Sequence, residues 1–147
     1  MYKIQSMAIA DYDEVVRLWR RSEGVGLNES DTRSAIHSYL KRNPAMSFVA
    51  RRGQQIVGAV LCGHDGRRGY LHHLAVAKPH RNKGLGKKLV NACLAKLKRL
   101  NIQKCNIFLF ADNAAGEKFW DHNGWLKRGD LLVMQKNILP TRKRHCC

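Results

Sequence analysis

The chain has 147 residues and a formal net charge of +16, with 27 Lys and Arg against 11 Asp and Glu. That length predicts one domain with a real core, and a charge this high suits a polyphosphate ligand or an RNA contact. Five cysteines without a disulfide spacing, no apolar run near about 18 residues and no signal-peptide pattern exclude a disulfide scaffold and a membrane span, and predict a reducing, cytoplasmic setting.

Tyr2 to Ile9 alternates weakly and predicts a first strand. Asp11 is placed to cap a helix reaching about Arg21, with Val15, Leu18 and Trp19 on one face. Glu23 to Ser30 is a glycine-bearing loop, and Asp31 is placed to cap a second helix carrying Ile36, Tyr39 and Leu40 until Asn43-Pro44 stops it. Ser47 to Arg52 and Gln55 to Cys62 make a hairpin around Gly53-Gln54. A turn at Asp65 to Gly69 leads into a strand over 70–77. From Leu85 the apolar residues recur as Leu89, Val90, Cys93, Leu94, Leu97 and Leu100, the stripe of a long amphipathic helix.

Strand 104–110 follows, with Cys105, Ile107 and Leu109 alternating with Asn106, Phe108 and Phe110. Asn113 to Asn123 reads as a short helix closed by Gly124, and two short strands around 125–127 and 131–136 finish the fold. The order is β-α-α-β-β-β-α-β-α-β with a closing strand. The crossover from 70–77 through the long helix to 104–110 predicts two parallel neighbours. Residues 1–139 form the domain on this reading. Residues 140–147 are a basic tail whose Cys146-Cys147 end lacks the C-a-a-X form of a lipidation signal.

The most informative stretch is His72 to Leu89. An apolar strand end, Leu71 to Val76, runs through a basic turn with Pro79 into a glycine pair that opens a helix. Backbone N–H groups and the positive end of the helix dipole meet there, which makes an anion site suited to a pyrophosphate. Gly84 and Gly86 let the backbone approach the phosphates. A Walker P-loop needs a hydroxyl after Gly-Lys, and Gly86 is followed by Lys87 and Lys88. A Rossmann fingerprint needs a glycine where Leu89 stands.

What fits is Arg81-Asn82-Lys83-Gly84-Leu85-Gly86, an R-x-x-G-x-G run preceded by Leu74-Ala75-Val76. It resembles the coenzyme A motif of the GNAT superfamily of acetyl-CoA-dependent N-acetyltransferases. A second stretch, Asn113 through Phe119-Trp120 to Gly124-Trp125, is similar to the family's N-x-x-A-x-x-F/L-Y-x-x-x-G-F, and the order of elements agrees over nearly the whole chain.

The resemblance implies the GNAT fold: α/β, with a mixed, mostly antiparallel central sheet, a V-shaped splay between strands 70–77 and 104–110, and about four flanking helices. It further implies that backbone groups of Leu74, Ala75 and Val76 meet the pantetheine and thioester. The amides from Arg81 through Asn82, Lys83, Gly84, Leu85 and Gly86 to Lys87 would hold the pyrophosphate, and Asn113 would reach the cofactor from the far side. The activity implied is direct transfer of acetyl from acetyl-CoA to a primary amine, of a small molecule or a protein N-terminus, without a metal.

A base must take the proton of an alkyl ammonium, whose pKa is about 10. Period-2 alternation predicts that His72 shares a face with Leu74 and Val76, with Tyr70 in the same row and His73 opposite. The arrangement resembles the aralkylamine N-acetyltransferases, in which histidines on this strand are linked to proton removal. Trp120 stands where the family has its tyrosine acid, and an indole N–H delivers no proton. It is expected either to be a wall beside the pantetheine or to be core beside Phe119 and Trp125.

Residues 1–31 hold four basic and six acidic residues, so the remaining residues carry +18. Glu29 and Asp31 are the candidate acceptor-binding residues, with Trp19 as a cation–π partner if it faces the cleft and as core otherwise. A non-catalytic acyl-CoA-binding domain and an RNA- or ribosome-associated basic module stay open as rivals, and so do monomer and homodimer.

Overall fold

A computed structural model of the chain describes residues 1–140. The fold is built outward from β3 (Gln55–His64), whose uninterrupted apolar run is buried from Ile56 to Gly63. A strand covered on both faces needs such a run rather than an alternating one. β2 (Phe48–Arg52) and β1 (Tyr2–Ser6) extend the sheet antiparallel on one side, and β4 (Gly69–Val76) pairs antiparallel on the other. β5 (Cys105–Ile107) then joins β4 in parallel, so the order is β1-β2-β3-β4-β5. One face carries α1 (Tyr12–Arg20) and α2 (Arg33–Arg42), over a core of Trp19, Ile36, Val49 and Leu61. The opposite face carries α3 (Leu85–Arg99), which packs Leu85, Leu89 and Cys93 on Val57, Cys62 and Leu71. α4 (Ala114–His122) follows β5.

Two expectations fail here. Strand 104–110 shortens to three paired residues, and the strands around 125–127 and 131–136 do not form. α4 ends in a Schellman motif instead. Gly124 has φ +84, its N–H donates to the carbonyl of Asp121, and that of Trp125 donates to the carbonyl of Trp120. Trp125 packs edge-on against Trp120 at 4.8 Å, which folds the chain back on the helix rather than out along β5. Leu131 to Met134 have strand-forming character but no ladder partner, and they are exposed. The Cys146-Cys147 end lies outside the described residues.

Candidate active site

β4 is paired with β5 only through Gly69, Tyr70 and Leu71, opposite Cys105, Asn106 and Ile107. Beyond Leu71 the two strands part, and β4 runs on to Val76 against β3 alone. His72 is the first β4 residue past this fork.

A β-bulge follows immediately. Leu61 faces His72 and Ala59 faces Ala75, so Val60 has both His73 and Leu74 opposite it. His73 has φ +55, in the left-handed region that a histidine rarely adopts within a strand. One extra residue reverses the side-chain alternation. Leu71, Leu74 and Val76 therefore all pack with the α3-side core, whereas His72 and His73 both turn to the α1–α2 side, His72 beside Tyr39 and His73 beside Trp19. The expected face shared by His72, Leu74 and Val76, with His73 opposite, is corrected by this bulge.

His73 is held where it turns. Its Nε2 lies 2.9 Å from Oδ1 of Asp31, and its ring stands edge-on to Trp19 at 5.0 Å. Asp31 is 8% exposed. Burial raises its pKa, but the His73 hydrogen bond and the Asn28 N–H at 3.0 Å lower it further, leaving the carboxyl below its ordinary value. An ionised carboxylate only accepts, so the proton of the contact belongs to His73 Nε2. Asp31 is not the α2 cap that the sequence suggested. Thr32 takes that role, its Oγ1 accepting from the Ala35 N–H at 3.2 Å, and this leaves the aspartate free for the histidine.

His72 is half-buried, and its pKa is lowered, first by burial and then by His73, with Asp31 opposing. Its imidazole is therefore neutral at neutral pH. The rings of Tyr39 and Tyr70 lie 6.4 Å away, Tyr70 stacked nearly parallel, and the ring of Phe108 lies 6.1 Å away. Phe108 also stacks on Tyr70 at 6.1 Å. Sequence reasoning missed Phe108 and Tyr39 as site residues. The alternation in 105–110 was the available signal, since one of its two rows carries phenylalanines where a solvated face would carry polar side chains.

On the α3 side the turn is shaped by backbone. Lys78–His80 form a single 3-10 turn, and the Arg81 Nε–H donates to the Val76 carbonyl at 2.8 Å, tying the turn to the end of β4. Asn82 and Gly84 are both left-handed, with φ +62 and +78. Gly84 is the N-cap of α3, and no side chain caps that terminus. The first amides, of Leu85, Gly86 and Lys87, thus face outward without a protein partner from a cap, next to exposed Lys83 and Lys87. Leu85 offers only its backbone, because its side chain is core. A Cβ on Gly86 would come 3.2 Å from the Phe119 ring, so this glycine also serves the approach of α4.

Asn113 caps α4, its Oδ1 accepting from the Gly116 N–H at 2.9 Å, and its Nδ2 lies against Gly24 of the loop after α1. Between that loop and the β5–α4 connection opens a cleft of about 470 Å³ lined by Glu23, Gly24, Phe110, Asp112 and Asn113. Trp19 is fully buried, so it is core and not a cleft wall. Trp120 is 9% exposed and packs between Phe119 and Trp125, which is the core placement of its two expected roles. Of the acceptor-side residues read from the sequence, Glu29 alone is exposed. Among the described residues, no three His, Cys, Asp or Glu gather as a metal would require, and no helix is long and apolar enough to cross a membrane.

A sheet that forks beside an uncapped, glycine-led helix leaves an opening next to free backbone amides suited to an anion. The model of the acetyltransferase (GNAT) family matches residues 12–125, and the chain belongs to that family. It is 26% identical to an acetyltransferase of Sodalis glossinidius over 90% of this chain and 93% of that one. It is 31% identical to an acetyltransferase of Yersinia enterocolitica over 72% and 74%. Its fold is similar to that of the PaiA N-acetyltransferase of Thermoplasma acidophilum in complex with coenzyme A. There the TM-score is 0.75, at 17% identity over 84% of this chain and 89% of that one. The chain is an N-acetyltransferase with acetyl-CoA as its acyl donor.

Proposed function

We propose that the acceptor is a primary amine, of a small molecule or a protein N-terminus, and that transfer takes place at the fork with His72 as the base. The observation that carries this reading is a half-buried imidazole kept neutral at the point where β4 leaves β5. The acyl donor supplies an activated carbonyl and a leaving thiolate. Backbone amides of Leu85, Gly86 and Lys87 bind its pyrophosphate, with Arg81, Asn82, Lys83 and Gly84 shaping the turn. The backbone of Leu74, Ala75 and Val76 lines the arm of the donor, and an N–H at the bulge polarises the carbonyl. His72 accepts the ammonium proton, and Tyr70 flanks its ring. The thiol, of ordinary pKa about 8.5, leaves as thiolate without an acid at Trp120.

Direct transfer is supported by the three cysteines among the described residues. Cys62 and Cys93 are fully buried, the Cys93 thiol is pushed up by its contact with Cys62 and then by burial, and burial pushes Cys105 up to about 12. None is a ready nucleophile. These free thiols also support a reducing compartment, the cytoplasm, for the protein.

The test is an acetyl-transfer screen over amines and peptides read by mass spectrometry, repeated with His72→Gln. The variant is expected to lose about 10²-fold or more in kcat/KM while binding acetyl-CoA normally. In the wild type, kcat/KM should rise with pH through a value below the usual histidine pKa and then level off; the variant should lack that limb. Full activity in His72→Gln would remove the base assignment.

A further inference from the structure

The α1–α2 face of β5 is uncovered at the fork. Asn106, Phe108 and Phe110 alternate with Cys105, Ile107 and Leu109, which pack toward α3, so the phenylalanines project to the other side. Phe108 is 61% exposed and Phe110 56%. Two large aromatic side chains this open, on a chain of charge +16, form a small apolar shelf with a direction. At one end Phe108 stacks on Tyr70 and lies 6.1 Å from the His72 ring. At the other end Phe110 lies under the loop at Gly26 and lines the cleft with Glu23 and Asp112.

Resting on the amine reading above, we propose that the acceptor carries an aromatic or branched apolar group close to its amine and seats that group on Phe108 and Tyr70. The reach fits. With the amine nitrogen about 3 Å from a His72 nitrogen, a linker of roughly two carbons, at about 1.5 Å each, brings a substituent onto the Phe108 ring. The charge fits as well. Glu23 and Asp112 favour the approach of a cation along the shelf, and an anionic side group would meet both carboxylates. Phe108 and Tyr70 then set specificity, with the apolar group stacked offset or edge-on. The same chemistry comes either from a free arylalkylamine or from a peptide N-terminus whose first side chain is apolar.

Four acceptors test this with acetyl-CoA: phenethylamine against ethylamine, and a tripeptide starting with Phe against one starting with Gly. The wild type should prefer the apolar member of at least one pair, and the preferred pair names the source. Phe108→Ala should lower that kcat/KM ratio about tenfold, and Phe108→Leu should keep part of it. Calorimetry adds a readout that needs no turnover. Phenethylamine, or the Phe tripeptide, should bind the CoA-loaded wild type and bind Phe108→Ala about tenfold more weakly. Equal turnover of both members of each pair, or a ratio that Phe108→Ala leaves unmoved, overturns the proposal while amine acetylation stands. A change of oligomeric state in Phe108→Ala with an unchanged ratio also overturns it, because the shelf is then a contact between copies. If no amine is acetylated although acetyl-CoA binds, the amine reading fails, and the calorimetric arm decides whether the shelf still takes an aromatic amine.

Discussion

The two sides of the fork are made of different materials. The proposed donor side, from Leu74 to Lys87, is a contiguous run shaped by its own backbone: left-handed Asn82 and Gly84, an uncapped α3 start, and the Arg81 contact to Val76. The proposed acceptor side is made of side chains delivered by separate segments: Asp31 before α2, Tyr39 in α2, Tyr70, His72 and His73 in β4, and Phe108 after β5. A local backbone site needs only its own turn to form. A site assembled from four segments needs the whole sheet, its register and its bulge. The same contrast predicts how each side fails when altered.

The largest effect is expected on the donor side. Gly86→Glu brings a carboxylate among the amides proposed to bind the phosphates and should lower acetyl-CoA affinity by roughly 10³-fold, about 4 kcal/mol. Because a Cβ there also meets the Phe119 ring at 3.2 Å, Gly86→Ala isolates the packing share and should lose far less. Calorimetry with circular dichroism as the folding check decides the matter. Unchanged affinity in a natively folded Gly86→Glu protein would remove the backbone site from this turn.

Next comes the bulge. His73→Ala breaks the contact to Asp31 that holds the left-handed residue, and should lower kcat about tenfold with the KM for acetyl-CoA little changed. His73→Asn tolerates the same backbone and offers an N–H to Asp31, so it should recover most of the loss. Equal defects in the two variants would mean that the ring of His73, not its hold on the bulge, is what matters. The pair also has a signature in acid. The Asp31 carboxyl is lowered from 3.8, so its stabilisation is complete above about pH 4 and disappears as the pH falls through the lowered value. Asp31→Asn should remove that part of the acid-unfolding curve.

The smallest effect is expected at Trp120. As a core residue between Phe119 and Trp125, it should tolerate Trp120→Phe with kcat within about twofold and a stability loss of about 1 kcal/mol by thermal unfolding. A Trp120→Phe enzyme that is folded, binds acetyl-CoA and is inactive would return this residue to the site and blur the line between the two sides.

The sequence alone determined the order of elements through Asn123, the crossover that makes β4 and β5 parallel neighbours, and the donor turn, because hydrophobic period and glycine placement act within a few residues of themselves. It also marked Asp31 and His72 as candidate site residues, and set His73 aside on the opposite face. It had no means of counting β4 against β3. A bulge is a mismatch between two strands and leaves no trace in the period of one. That single extra residue at His73 reversed the faces, gave His73 to Asp31 and left His72 among the aromatic rings. Leu131 to Met134 make the same point from the other direction. Their side chains suit a strand, but a strand exists only where an edge accepts its hydrogen bonds, and Leu131 to Met134 join no ladder and stay exposed. Propensity is a property of residues; pairing is a property of the assembled sheet, and the tertiary structure alone decided it.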